Sequence, residues 1–381
     1  MGVVHLPLRI PIGVLMTRFQ PGGTERQMTE LIRRLDPNRF AVHVACFHRE
    51  GSWLPRVMER AASVTEFPIH GFAKPATAWQ LLAFARWCRR TRLAVVQTCD
   101  MYANIFGLSG AALAGVQVRI GSRRELNPDK SRSQIRLQRL AYRCATTVVA
   151  NSPAAQRILE REGLAPASIA VIPNGVDLAA FGARKPANAV RRFITVANLR
   201  PEKSHETLLA AAAALLRVYP DLEFQIVGDG PRRRELEELA RDRRLSPRVT
   251  FLGHRDDVPA LLAAADAFVL PSRSEAFPNG AIEAMAAGLP VVASAVGGLR
   301  DLIEDGRTGL LVPTGDPEAL SASLRSLIHA PERAAALGRA ARAEVQRYSF
   351  DRMVSSFEHL YLSGLHAGVS PRTREAEAAG I

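Results

Sequence analysis

Two glutamates, Glu275 and Glu283, frame the stretch of this chain best equipped for chemistry. It reads Glu275-Ala276-Phe277-Pro278-Asn279-Gly280-Ala281-Ile282-Glu283, followed by Ala-Met-Ala-Ala-Gly-Leu-Pro. An apolar strand over Ala267–Leu270 ends at Pro271, and a helix is expected to start near Asn279, a good N-cap residue. Gly280 and Ala281 in its first turn would let another molecule approach the backbone N–H groups. A helix N-terminus behind a parallel strand is an anion site, and a diphosphate fits it. Glu275 lies before that helix and Glu283 about one turn into it, so the two could accept hydrogen bonds from hydroxyls on either side of the phosphate. The spacing alone is weak, because a chain with 23 glutamates offers such a pair by chance. Both residues also fit an ordinary loop and helix surface.

A second concentration of charge lies upstream. Residues 1–180 hold 24 Lys+Arg against 12 Asp+Glu, whereas residues 181–381 hold 26 against 25, so nearly all of the net +13 sits in the first half. The densest part runs from Arg119 to Arg143. There Arg123 and Arg124, just after a predicted strand end, are candidates for gripping an acceptor phosphate. The segment Ser131–Cys144, read as a helix, intersperses Ile135, Leu137, Leu140 and Ala141 with Arg132, Arg136, Arg139 and Arg143. That pattern suits an anionic membrane surface and equally an outer helix packed on a sheet. Nucleic acid is not the expected partner, since no helix-turn-helix, zinc-finger or aromatic platform motif accompanies the charge.

The elements that must position these residues alternate. Strand-like runs Ile10–Met16, Phe40–Cys46, Ala94–Thr98, Gln117–Ile120 and Thr147–Ala150 are separated by helical stretches Thr24–Leu35, Ala76–Arg90, Tyr102–Ala114 and Ser131–Cys144. After a turn-rich stretch over Ile172–Asn188 the alternation restarts with Phe193–Ala197, Ser204–Val218, Glu223–Val227 and Arg232–Arg243. Strands Val249–Leu252, Ala267–Leu270 and Pro290–Ala293 continue it, and Pro317–Leu365 is nearly all helix with a break near Tyr348–Asp351. Such alternation predicts an α/β architecture, two Rossmann-like domains facing across a cleft. The expected divisions are 1–175, 176–365 with a last helix able to cross back, and a flexible tail 366–381. The uncharged stretch Met101–Val118 holds Asn104, Gly107, Gly110 and Gln117, and reads as a buried helix and strand, not a membrane span. Cys46, Cys88, Cys99 and Cys144 are scattered, as in a reduced cytoplasmic protein. No targeting segment is expected.

The glutamate string, together with Ala-Asn-Leu-Arg200-Pro-Glu-Lys203, Val-Gly228-Asp-Gly230-Pro231, Phe-Leu-Gly253-His-Arg255 and Asp305-Gly-Arg-Thr-Gly-Leu-Leu-Val, resembles the signature of the GT-B glycosyltransferases of family 4. Upstream, Pro-Gly22-Gly23-Thr-Glu and Ile-Pro-Asn174-Gly-Val-Asp177 match as well. The resemblance covers most of the chain and is strongest from Phe193 to Pro313. It implies a retaining transfer from a nucleotide diphosphate sugar, with UDP the commonest carrier. It gives Glu275 to the hydroxyls of the transferred sugar and Glu283 to the ribose, with Phe277, Pro278, Asn279 and Gly280 between them lining the donor. Lys203, with Arg200, would neutralise the departing diphosphate. Gly22 and Gly23 would close over the donor phosphates, and Gly253 with Arg255 would line the base pocket.

Two positions depart from the family pattern. Asn198 stands where many members have the phosphate arginine, leaving Arg200 to act from a shifted place. Cys99, in Gln97-Thr98-Cys99-Asp100, stands where many members have a histidine beside the reacting centre, and a thiol cannot copy an imidazole's donor and acceptor pair. A packed strand-end cysteine is the plainer reading of Cys99. Without any Asp-x-Asp, no metal and no cofactor are expected. The resemblance thus points to a transferase with a lipid-linked or saccharide acceptor on its N-terminal side, peripheral at the inner face of the cytoplasmic membrane. A silent nucleotide-sugar-binding scaffold and a sugar-nucleotide epimerase of the same shape remain open.

Overall fold

The computed structural model describes residues 9–72, 74–126, 130–182 and 189–367. The tail from 368 onward, and residues 183–188 of the turn-rich stretch, lie outside the described residues. Two compact units emerge. One comprises the chain up to Asn174 together with Phe350 onward, and the other spans Gly175–Ser349.

The N-terminal unit is built on seven parallel strands: β1 Ile10–Met16, β2 Phe40–Cys46, β3 Ser63–Glu66, β4 Val95–Thr98, β5 Val118–Arg123, β6 Thr147–Ala150 and β7 Ile169–Val171. Their order is β3-β2-β1-β4-β5-β6-β7. The C-terminal unit has six parallel strands: β8 Arg192–Val196, β9 Glu223–Val227, β10 Val249–Gly253, β11 Ala267–Leu270, β12 Val291–Ser294 and β13 Leu310–Val312. Their order is β10-β9-β8-β11-β12-β13. The central strands β4, β11 and β12 are buried at every position, as expected where helices cover both faces of a sheet. Both sheets reverse direction of growth beside their first strand, between β1 and β4 and between β8 and β11. Such switch points leave crevices at the carboxyl ends of the strands.

The two-domain α/β reading holds, with local corrections. Strands β3, β7 and β13 escape the sequence pattern because they are only three or four residues long, too short for a period to register. The predicted helix Tyr102–Ala114 is divided into helix Met101–Ala103, a π-helical turn Asn104–Leu108 and helix Ser109–Ala114. The buried Asn104 causes this. Its amide donates to the Ser122 carbonyl at 2.8 Å and its carbonyl accepts from the Ser122 N–H at 3.0 Å, drawing the helix against β5. Among the described residues no helix is long and apolar enough to cross a membrane.

The final helix, Phe350–Ala367, groups with the N-terminal unit. Phe357 and Tyr361 on it are fully buried, each worth about 1.5–3 kcal/mol of apolar burial. The Tyr361 hydroxyl donates to Gln97 at the end of β4, so this helix braces the strand that leads to Cys99.

Candidate functional site

Three loops at the carboxyl ends of β8, β11 and β12 meet in the C-terminal unit. After β8 the chain makes a tight turn, Pro201–Lys203, and leaves it through Ser204 in the left-handed region at φ 52°. The loop after β11 carries Ser272, Arg273 and Glu275. The Arg273 N–H donates to the Glu202 carbonyl at 2.8 Å, and the Gly298 N–H after β12 donates to the Glu275 carbonyl at 2.8 Å. These backbone ties set the two key side chains facing each other. Lys203 Nζ donates to Glu275 Oε1 at 2.5 Å, and Ser272 Oγ donates to the same oxygen at 3.2 Å. Glu275 is only 6% exposed. A second tie runs through Glu206, which pairs with Arg232 at 2.7 Å and Arg273 at 3.0 Å, joining the loop after β9 to the same cluster.

Helix Asn279–Ala286 begins directly behind this pair. Pro278, not Asn279, occupies the N-cap, and Asn279 is the first helical residue. The expectation that Gly280 leaves room for another molecule is also corrected. A Cβ there would lie 2.4 Å from the Val196 carbonyl, so this glycine is required by the helix pressing on the end of β8. Gly228 has the same cause: its φ is 134°, and a Cβ would meet the Ala197 carbonyl at 2.1 Å. Glu283 is buried on the helix, and Phe277 packs edge-on against Tyr348 at 5.6 Å. Arg200 is exposed, with no side-chain polar partner among the described residues. Gly253 and Arg255 lie two strands away at the end of β10, where Arg255 is held by Asp257 at 2.6 Å. His205 is fully buried at the start of helix His205–Leu216 with neither ring nitrogen bonded among the described residues, and burial pushes its pKa down to about 4.

The N-terminal unit has its own cluster at the β1–β4 switch point. Gly22 is extended and precedes helix Gly23–Arg34. Asp100, after β4, accepts from Thr17 Oγ1 at 2.7 Å, from the Ala103 N–H at 2.9 Å and from the Cys99 thiol at 3.3 Å. Cys99 is 1% exposed, and burial beside Asp100 raises its pKa well above the usual thiol value. It is a protonated, packed thiol and supplies neither a nucleophile nor a base. A cavity of about 140 Å³ opens here, lined among others by Thr24, Cys99, Asp100, Ser122, Arg124 and Lys130.

The two neighbouring arginines part company. Strand alternation sends Arg123 inward, 1% exposed, where it donates to Glu162 through two nitrogens at 2.8 and 3.2 Å and to Gln138 at 3.1 Å. It holds the fold and is not available to grip a phosphate, which corrects that expectation. Arg124 faces the cavity, donating to Asn174 Oδ1 at 2.9 Å and touching Met28 Sδ at 3.9 Å. Asp100, Thr17, Ser122, Ser272 and the Glu206 network were missed from sequence. Asp100 alone had a usable signal, as an Asp directly after a predicted strand and ahead of a predicted helix. Among the described residues no group of three or more His, Cys, Asp or Glu is placed to hold a metal ion.

Comparisons with known proteins agree with this fold. Residues 21–180 match the model for Glycosyltransferase Family 4, and residues 183–344 match that for Glycosyl transferases group 1. The chain is 30% identical over 394 aligned residues to a D-inositol 3-phosphate glycosyltransferase of Salinispora tropica, covering 89% of this chain and 80% of that protein. It is 35% identical over 222 residues to a glycogen synthase of Mycobacterium tuberculosis, spanning 57% of this chain but only about half, 54%, of that relative. Its fold is similar to that of Anabaena HepE, crystallised with UDP and glucose, at a TM-score of 0.83 and 23% identity over 93% of this chain and all of that one. With both halves matched and both parallel sheets in place, the chain belongs to the family 4 glycosyltransferases of GT-B fold.

Proposed function

We propose that the protein transfers a sugar, with retention of configuration, from a nucleotide diphosphate sugar to a hydroxyl of a lipid-linked or saccharide acceptor in cell-envelope or polysaccharide assembly. A UDP-sugar is the favoured donor; the UDP-bound HepE fold and the glycosyltransferase relatives support that choice. The observation carrying this reading is the Lys203–Glu275 pair at the β8–β11 switch point.

The pair explains how one small site can serve both ends of a donor. Without ligand, the ammonium and the carboxylate neutralise each other in a largely buried place, where either charge alone would be costly. An arriving diphosphate competes for Lys203. Once the ammonium turns to phosphate, Glu275 is free to accept hydrogen bonds from sugar hydroxyls. As the glycosidic bond breaks, charge grows on the leaving diphosphate, and Lys203 with the exposed Arg200 stabilises it. Glu283 would take the ribose, Gly253 and Arg255 the base, and Gly22 with Gly23 the donor phosphates. Because Cys99 stays protonated, deprotonation of the acceptor falls to the leaving phosphate on the same face.

Acceptor binding is assigned to the N-terminal unit. Helix Arg132–Tyr142 starts in a capping box made by Ser131 and Gln134 and turns Gln138, Ala141 and Tyr142 inward. Leu137 and Leu140 stay 48% and 57% exposed between the exposed Arg132, Arg136, Arg139 and Arg143. Two exposed leucines within a basic frame favour contact with an anionic membrane surface. Flotation with anionic vesicles tests this; protein that stays at the bottom at low salt removes the membrane from the proposal.

The central test measures nucleotide release from UDP-, GDP- and ADP-sugars, with and without a membrane lipid extract, beside Glu275→Gln and Lys203→Ala. Release from one donor, raised by the extract and lost in both variants, is expected. Tight donor binding without any release would favour a silent scaffold, the reading that the inert Cys99 thiol recommends.

A further inference from the structure

In the C-terminal unit, Lys203, Arg232 and Arg273 share two part-buried carboxylates, Glu206 and Glu275. Lys203 is paired with Glu275. Glu206 holds the other two cations: one of its oxygens accepts from Arg232 at 2.7 Å, and the other lies 3.0 Å from Arg273. Arg232 has a further acidic partner in Glu235, whereas Arg273 has no other among the described residues. Arg273 stands two residues before Glu275 on the same loop, at most about 7 Å away along the backbone, so its side chain can reach that carboxylate. A guanidinium grips a carboxylate through two parallel hydrogen bonds, whereas an ammonium acts as a point charge. On chemistry alone Arg273 is the stronger claimant for Glu275, yet it is engaged elsewhere.

What engages it is fixed in place. Ser204 and His205, between Lys203 and Glu206, are fully buried, and Ser204 Oγ shares a hydrogen bond with Thr207 Oγ1 at 2.9 Å. The backbone that presents Glu206 is therefore anchored on the same short segment as Lys203. We infer that Glu206 is a positioning residue for the proposed transfer: by engaging Arg273 it reserves Glu275 for Lys203, a partner that a diphosphate can draw away. With Arg273 on Glu275 instead, the carboxylate would stay occupied when a donor arrives, and sugar hydroxyls would find no acceptor. The words donor and sugar rest on the transferase reading, whereas the pairing of Lys203 does not depend on it.

The test compares the full-length parent with Glu206→Gln, Arg273→Gln and the double variant. Acetylation of the Lys203 amine, read by peptide mass spectrometry against the exposed Lys74, needs no ligand. Lys203 should label about tenfold faster in Glu206→Gln, as the loss of about 1.4 kcal/mol of pairing would bring, and at the parent rate again in the double variant. Calorimetry should then find UDP-glucose binding weakened about tenfold in Glu206→Gln and recovered in the double variant, with UDP binding changed by less than about threefold. A carboxylate that only holds the fold would weaken both ligands alike, and removing an arginine would not restore it. Unchanged Lys203 labelling in Glu206→Gln, or no restoration in the double variant, overturns the inference. If labelling changes and is restored while neither nucleotide binds the parent, the pairing stands and the UDP-sugar reading falls. If the parent releases nucleotide but its Lys203 labels as in Glu206→Gln, only the role of Glu206 falls. Should Glu206→Gln not fold, Glu206→Asp, whose shorter arm does not span both arginines, carries the same comparison.

Discussion

Both units gather charge at the carboxyl ends of strands near their switch points and leave it in different states. At the β8–β11 switch point Lys203 already has a carboxylate 2.5 Å away, whereas beside the β1–β4 switch point Arg124 has none. The topology explains why both sets of side chains stand at strand ends; it says nothing about pairing. Pairing follows from what the next loop supplies. The loop after β11 supplies Glu275 to Lys203, whereas Arg124 meets the Asn174 amide and the Met28 sulfur. A paired site tolerates an empty state and exchanges partners when a ligand comes. A buried cation without such a partner is costlier to hold.

The sharpest way to break this comparison is to remove the pairing lysine. Lys203→Ala should lower nucleotide release by about 10²–10³-fold, the size expected for losing one aimed stabilising group. In Lys203→Ala/Glu275→Gln the lost stability should return while the lost rate does not. A double variant that regains rate would mean the pair is only structural.

Next in size is the contrast between adjacent arginines. Arg123→Gln leaves the Glu162 carboxylate facing a buried gap and should cost about 3 kcal/mol in urea unfolding, whereas Arg124→Gln should cost less than about 1 kcal/mol. Equal costs would show that the two arginines do not differ as described.

Acid sensitivity separates the units further. His205, in the C-terminal unit, has a folded pKa lowered by burial to about 4 against an ordinary 6.5. The unfolded chain therefore binds the proton first, and stability falls as pH drops from 6.5 toward 4. The loss should reach about 1.4 kcal/mol at pH 5.5. Urea midpoints at pH 7 and pH 5.5 test it, and His205→Asn should flatten the difference.

The smallest expected effect is at the surface. Leu140→Ser should weaken partition onto anionic vesicles by about 1 kcal/mol without altering donor binding. Unchanged flotation would separate the exposed leucines from any membrane role.

Much of the fold was legible because buried parallel strands are short apolar runs between longer amphipathic helices. Strands β1, β2, β6, β9 and β11 could be delimited from that alone. The edge strands β3, β7 and β13 were not legible, being only three or four residues long, whereas the five-residue edge strand β10 was. In the candidate site, the family motifs marked Lys203, Glu275 and Glu283, but Ser272 and Glu206 carry no motif and act only through distance. Asp100 carries no motif of its own, and its hydrogen bonds to Thr17 and the Ala103 N–H exist only in the folded chain.

By itself, then, the sequence determined the fold class, the two-unit plan and the place of the loop that carries Glu275, since periodicity, turn residues and ordered motifs are local properties. Only the tertiary structure decided that Gly280 serves packing, that Cys99 is sealed and protonated, and that Arg123 is spent on Glu162 while Arg124 is not. Those outcomes depend on which atoms from distant positions come within a few ångströms. At the end of β5, where Arg123 is the last strand residue and Arg124 the first beyond it, one step along the chain separates two arginines that look interchangeable in the sequence.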